Sequence, residues 1–93
     1  MIVSVTVENR NFQDMNIFVI RGSSRVRLGM VVSMSTQTFR MRSEMMRSTQ
    51  VRLVADPIGV IETYESEILR IEPGDQIKWT LSASLTNSAI FVF

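Results

Sequence analysis

Glu62, Glu65, Glu67, Glu72 and Asp75 crowd a short stretch of a 93-residue chain. Paired carboxylates act as acid and base on a glycosidic bond, or as hard oxygen ligands for calcium. A calcium loop sets its oxygens at alternate positions around a glycine turn, and no Asp-x-Asp-x-Asp-Gly run occurs. A glycosidase keeps one carboxyl protonated beside an ionised partner, and nothing around these five marks such an acid. They read as the solvated outer face of strands.

Other chemistry is excluded more firmly. The chain has no histidine and no cysteine. This removes the Ser-His-Asp triad, the imidazole base, the thiolate nucleophile, the zinc knuckle and the redox pair. The serines and threonines are many and interchangeable, and Lys78 alternates with Ile77 and Trp79, so it points away from the core side. No catalytic constellation, cofactor site or metal site emerges, and the chain is read as a non-enzyme. No Asn-x-Ser/Thr sequon occurs, which excludes N-glycosylation at the usual motif.

Nine of the ten cations are arginine. Eight of them fall within residues 1–52 against Glu8, Asp14 and Glu44, leaving about +5 there, whereas the remainder carries about −4 and the whole +1. A nucleic-acid surface shows a larger net charge and aromatics between the basic residues. Here Arg25 and Arg27 alternate with Val26 and Leu28, and Arg40 and Arg42 flank Met41, as on the outward face of strands. No nucleic-acid partner is expected. A basic part that complements an acidic part suits pairing within the domain or between copies. Of seven methionines, Met41, Met45 and Met46 are dense enough to suggest an adaptable apolar patch or a soft Cu(I) site, but flexible core filler is the ordinary role. Trp79 and Tyr64 would make a sugar-stacking platform if exposed. Trp79 shares the parity of Ile77 and Leu81, which predicts a core position.

The elements that must position these residues are strands. Period-2 alternation runs through the chain. Val3, Val5 and Val7 share one face of Ile2–Val7, and Asn9-Arg10-Asn11 breaks the pattern as a turn. Met15–Arg21 is apolar on both faces, as in a central strand. Gly22-Ser23-Ser24 reverses the chain, and Arg25–Ser33 returns with Val26, Leu28, Met30 and Val32 expected inward. Thr36–Met41 and Gln50–Ala55 are further strands, the second with Val51 and Leu53 inward. Arg42–Thr49, between them, suits a loop or one helical turn. Asp56-Pro57-Ile58-Gly59 reads as a turn, then Val60–Tyr64 and Glu67–Ile71 as strands. Glu72-Pro73-Gly74-Asp75 is the sharpest turn, with glycine where a type II turn needs positive φ. Gln76–Leu81 and Ser88–Phe93 complete the series. Strands at such short intervals predict one all-β domain over residues 1–93, a single sandwich of about 7–9 short antiparallel strands.

Both ends are strand-like, which makes Ile2, Val3, Val5, Val7, Ile90, Phe91, Val92 and Phe93 the candidate subunit-contact residues. Terminal strands either pair within their own domain or complete the sheet of a neighbouring copy, with backbone hydrogen bonds supplying affinity. Repeated head to tail, such a contact builds a filament. The apolar runs, Ile17–Ile20 and Ile90–Phe93 among them, are far below the ~18–20 residues of a membrane helix, so no membrane-spanning segment is expected. Nor do 93 residues hold eight barrel strands of about 9–11 residues with their connections. Met1 leads directly into alternating residues with no basic leader, which fits a cytoplasmic chain or a processed one.

Val7–Val31 (VENRNFQDMNIFVIRGSSRVRLGMV) is similar to the opening of small uncharacterised bacterial envelope domains of secreted or lipoprotein type. Arg52–Gly59 (RLVADPIG) and Ser66–Trp79 (SEILRIEPGDQIKW) resemble their second half. The lipidated cysteine and signal segment of those proteins are missing here. The EPGDQIKW turn also resembles the strand start of cupredoxin and immunoglobulin-like sandwiches, without a cupredoxin's histidine and cysteine ligands. The resemblance implies an immunoglobulin-like β-sandwich, secreted or in the cell envelope, and no enzymatic activity that carries over to particular residues. The terminal strands, the complementary charge split and the lack of catalytic chemistry point to a structural subunit in which copies assemble into a fibre. The alternative is a monomeric binding module for a glycan or another envelope protein.

Overall fold

The computed structural model describes residues 2–42, 50–59, 63–72, 74–83 and 88–93. These form nine strands in two sheets: β1 (Ile2–Asn9), β2 (Met15–Arg21), β3 (Ser24–Val31), β4 (Thr36–Arg42), β5 (Gln50–Pro57), β6 (Tyr64–Glu65), β7 (Leu69–Arg70), β8 (Gln76–Leu81) and β9 (Ala89–Val92). One sheet has the order β4-β1-β8-β9. The other runs β3-β2-β5-β6, with β7 pairing a different part of β5. The all-β sandwich expected from the alternation is the fold. No helix occurs among the described residues.

The alternation sorts side chains as expected in most strands. Val3, Val5 and Val7 of β1, Met15, Ile17 and Val19 of β2, Val51 and Leu53 of β5, and Ile77, Trp79 and Leu81 of β8 are buried between the sheets. β2 is a central strand, paired on both edges. Its outer face is half-covered, and the Arg25 guanidinium lies 4.0 Å from the centre of the Phe18 ring. The turn before β8 also forms as read: the Asp75 N–H donates to the Glu72 carbonyl at 3.0 Å, and Gly74 has φ 91°.

Three expectations change. The strands are not all antiparallel. β1 runs parallel to β8, with Val5 opposite Ile77 and Val7 opposite Trp79. The long connection between β1 and β8 permits this, since parallel neighbours need a crossover rather than a hairpin. In β3, Val26 and Leu28 face the core, but Met30 and Val32 are exposed and Val31 takes the buried place. A bulge is the cause. Ile17 pairs with Gly29 and Phe18 with Arg27, so Leu28 is an extra residue and the parity of everything after it reverses. Finally, Asp56 and Pro57 belong to β5 rather than to the turn, and the strand expected over Glu67–Ile71 is the two-residue β7, which with β6 forms the described part of the edge beyond β5. Val60–Glu62, Ser43–Thr49 (most of the stretch read as a loop or helical turn, including Met45 and Met46) and Pro73 lie outside the described residues.

The two sheets meet closely at β3 and β4. Phe39 of β4 crosses to lie on the backbone of Gly29, where an added Cβ would sit 2.6 Å from Phe39 Cε1. Only glycine fits that place. Met41 is in the core, as filler.

Candidate functional site

The two terminal strands have different surroundings. β1 is interior to its sheet, bonded to β4 on one edge and β8 on the other. Val3, Val5 and Val7 are buried, and only Ile2 of the four N-terminal candidates is exposed. β9 is the last strand of the same sheet and, among the described residues, is bonded on one edge only. It pairs antiparallel with β8, placing Ile90 opposite Trp79, Phe91 opposite Lys78 and Val92 opposite Ile77. Phe93 continues the ladder by exchanging backbone bonds with Gln76 at 3.0 and 2.7 Å.

β9 is poorly covered. Ile90 is half-buried, while Phe91 is 58% exposed, Val92 37% and Phe93 69%. Phe91 and Phe93 stack with ring centres 6.5 Å apart on the outer face. On the inner face Ile90 packs against the core, while Val92, on the same side, is more than a third exposed.

Sheet edges usually carry devices that discourage pairing with another chain: charges, proline, bulges or broken strands. Three of the four edges here do. β3 has Arg25, Arg27 and the bulge, β4 has Arg40 and Arg42, and the β6–β7 edge is interrupted at Ser66 and flanked by Glu65 and Glu67. Residues 89–93 of β9 contain no charged side chain, proline or glycine.

The carboxylates singled out above do not converge. Glu65, Glu67 and Glu72 are exposed, and Asp75 closes its own turn by accepting the Glu72 N–H at 2.8 Å through Oδ2. Glu62 lies outside the described residues. Among the described residues no group of three or more such side chains is placed to hold a metal ion. Trp79 is 0% exposed and Tyr64 is half-buried against it, ring centres 5.9 Å apart at 34°. The aromatic platform that a sugar would need is therefore not made by these two residues. Among the described residues no helix is long and apolar enough to cross a membrane.

Three buried polar residues, Asn9, Asn11 and Ser66, none of them singled out as a candidate above, hold the scaffold together. Asn9 closes β1 in a buried position; its Nδ2 donates to the carbonyls of Gln13 (2.9 Å), Val31 (3.1 Å) and Val32 (3.3 Å), and its Oδ1 accepts from the Asn11 N–H. Asn11 Nδ2 in turn reaches the Ser82 and Ala83 carbonyls, so the pair joins the ends of β1, β3 and β8. A sequence signal existed: Asn9 continues the parity of Val3, Val5 and Val7, and an asparagine at a core position must find internal partners. Ser66 is also buried. It fills the gap between β6 and β7, where its Oγ accepts the Leu53 N–H at 2.9 Å and its own N–H donates to the Leu53 carbonyl at 2.8 Å. No periodicity marks that role.

Comparison of the chain with protein-family models, with curated proteins and with solved structures finds no match to any of them.

Proposed function

We propose that this domain is a non-enzymatic structural subunit that associates with copies of itself by edge-to-edge strand addition at β9. The observation that carries this reading is the unguarded β9 edge, apolar and exposed on a sheet whose other strands are covered or charged. Both terminal strands are bonded within their own chain, which favours edge addition over exchange of a strand between copies. Placement in the bacterial envelope or exterior rests only on the resemblance read in the sequence at Val7–Val31, Arg52–Gly59 and Ser66–Trp79, to which the comparisons add no match. The absence of histidine and cysteine supports the non-enzymatic reading.

Light scattering coupled to size exclusion tests it. The unaltered chain grows in mass with concentration, and Phe91→Lys with Phe93→Lys returns it to a monomer without loss of thermal stability, since both side chains are exposed. A strict monomer at high concentration overturns the reading. A second reading draws on the same residues: the stacked Phe91 and Phe93 rings offer a monomeric binding module an apolar surface for a sugar face or an envelope protein. In that case calorimetric titration with oligosaccharides gives heat that the two lysine substitutions abolish, and the chain stays monomeric.

A further inference from the structure

We infer that copies of this chain join head to tail, the arginine-bearing β3/β4 side of one against the β6/β7/β9 side of the next, so that the assembly is an open filament. This rests on the self-associating reading above and adds to it the second contact surface and the symmetry.

The two lateral sides of the sandwich differ in charge. β3 and β4 lie together on one side, joined by the Phe39–Gly29 contact. They carry Arg25, Arg27, Arg40 and Arg42, all exposed, and no acid on either strand. None of the four has a carboxylate partner among the described residues, where the one ion pair is Arg10 with Glu8. Arg25 lies on Phe18, and Arg27 donates to Asn16 Oδ1 at 3.0 Å. The opposite side ends in β6 and β7 of one sheet and β9 of the other. It presents Glu65 and Glu67, both exposed, with Arg70 as its cation, beside the uncharged β9.

This asymmetry selects the symmetry of the contact. A two-fold pair sets each side against itself. Joining at β9 that way brings Glu65 and Glu67 of both copies to one seam, and joining at β3 gathers the arginines. Translation sets the arginine side against the acidic side, where opposite charges meet. Strand directions agree. β3 and β5 both run antiparallel to β2, and β6 and β7 run antiparallel to β5. A translated copy therefore brings its β3 antiparallel to β6 and β7. In the other sheet β9 and β4 point the same way, because both oppose the parallel pair β1 and β8, so they meet as a parallel pair. β9 thus adds to the β4 edge, whose Arg40 and Arg42 oppose pairing with a second β4 but not with an uncharged strand. β3 meets β6 and β7 through side-chain charges rather than a continuous backbone ladder, and a repeated translation does not close.

Charge reversal tests this. Arg25→Glu with Arg27→Glu makes β3 acidic and leaves the β3/β4 side without net charge, since Arg40 and Arg42 remain, so two glutamates face Glu65 and Glu67 of the next copy. Glu65→Arg with Glu67→Arg makes both sides basic. Each variant alone loses self-association, by roughly tenfold or more in the concentration needed. Mixing the two restores it, as does the chain that carries all four changes. For the unaltered chain, mass rises with concentration beyond twice that of one chain. It falls when salt is raised from about 0.01 M to about 1 M, where the screening length drops from roughly 30 Å to roughly 3 Å. This salt series reports on the same contact should a reversal cost the fold, which far-ultraviolet circular dichroism reads. Growth that stops at two copies, or association indifferent to salt and to both reversals, overturns the head-to-tail contact and leaves self-association at β9 standing. A chain that is monomeric throughout overturns both.

Discussion

Phe39 rests on the backbone of Gly29 from the opposite sheet, at a distance that leaves no room for a side chain. Gly29 sits in the β3 bulge with φ 157°, so its missing Cβ serves the bulge and the sheet contact together. Gly29→Ala should cost about 1–3 kcal/mol, as overpacking does. In a Phe39→Ala background its cost should fall by at least half, because the clashing ring is gone. Urea denaturation of the double-mutant cycle measures the coupling.

Trp79 is the sole tryptophan and fills the middle of the core, with no partner for its Nε1–H among the described residues. Trp79→Ala should cost about 3–5 kcal/mol, a large part of the stability of so small a domain. Trp79→Phe should cost roughly 1–2 kcal/mol, because removal of an unpaired donor offsets part of the lost volume. Thermal unfolding separates the two. The intrinsic fluorescence of the unaltered chain should be blue-shifted when folded and move to the red on unfolding.

Asn9 donates into three carbonyls where the two sheets join. Asn9→Ala should destabilise by about 1–3 kcal/mol. Asn9→Asp should be worse at neutral pH, since an ionised oxygen would face those carbonyls. The introduced carboxyl would titrate above its unfolded value. Its penalty is therefore full at pH above the folded pKa and is lost as the pH falls below the unfolded pKa. Denaturation midpoints of the two variants across acid and neutral pH should converge on the acid side.

Ser66 Oγ accepts the buried Leu53 N–H in the gap of the broken edge. Ser66→Ala should leave that amide unpaired, at about 1–3 kcal/mol. Hydrogen exchange should show the Leu53 amide losing protection while amides of β1 keep theirs.

Much of this architecture was legible in the residues. Alternation in Ile2–Val7, Gln50–Ala55 and Gln76–Leu81 identified the buried face of each, and the two-sided apolar run Met15–Arg21 marked the central strand. The same rule failed for Met30 and Val32, because one bulge residue reverses every side chain that follows it. The terminal candidates divided in the same way: Val3, Val5 and Val7 are consumed by the core, whereas Ile90, Phe91, Val92 and Phe93 remain on an open edge.

The sequence by itself determined the all-β class, the inward place of Trp79, the outward place of the strand arginines and the absence of imidazole and thiol chemistry. These follow from composition and from a two-residue period that each strand carries locally. The tertiary structure alone decided that β1 lies beside β8, that Asn9 bridges the sheets, and that the arginines gather on one side while β9 is left unguarded on the other. Those depend on which strands become neighbours, as when Ser4 pairs with Gln76, and no local pattern encodes a contact between residues so far apart in the chain.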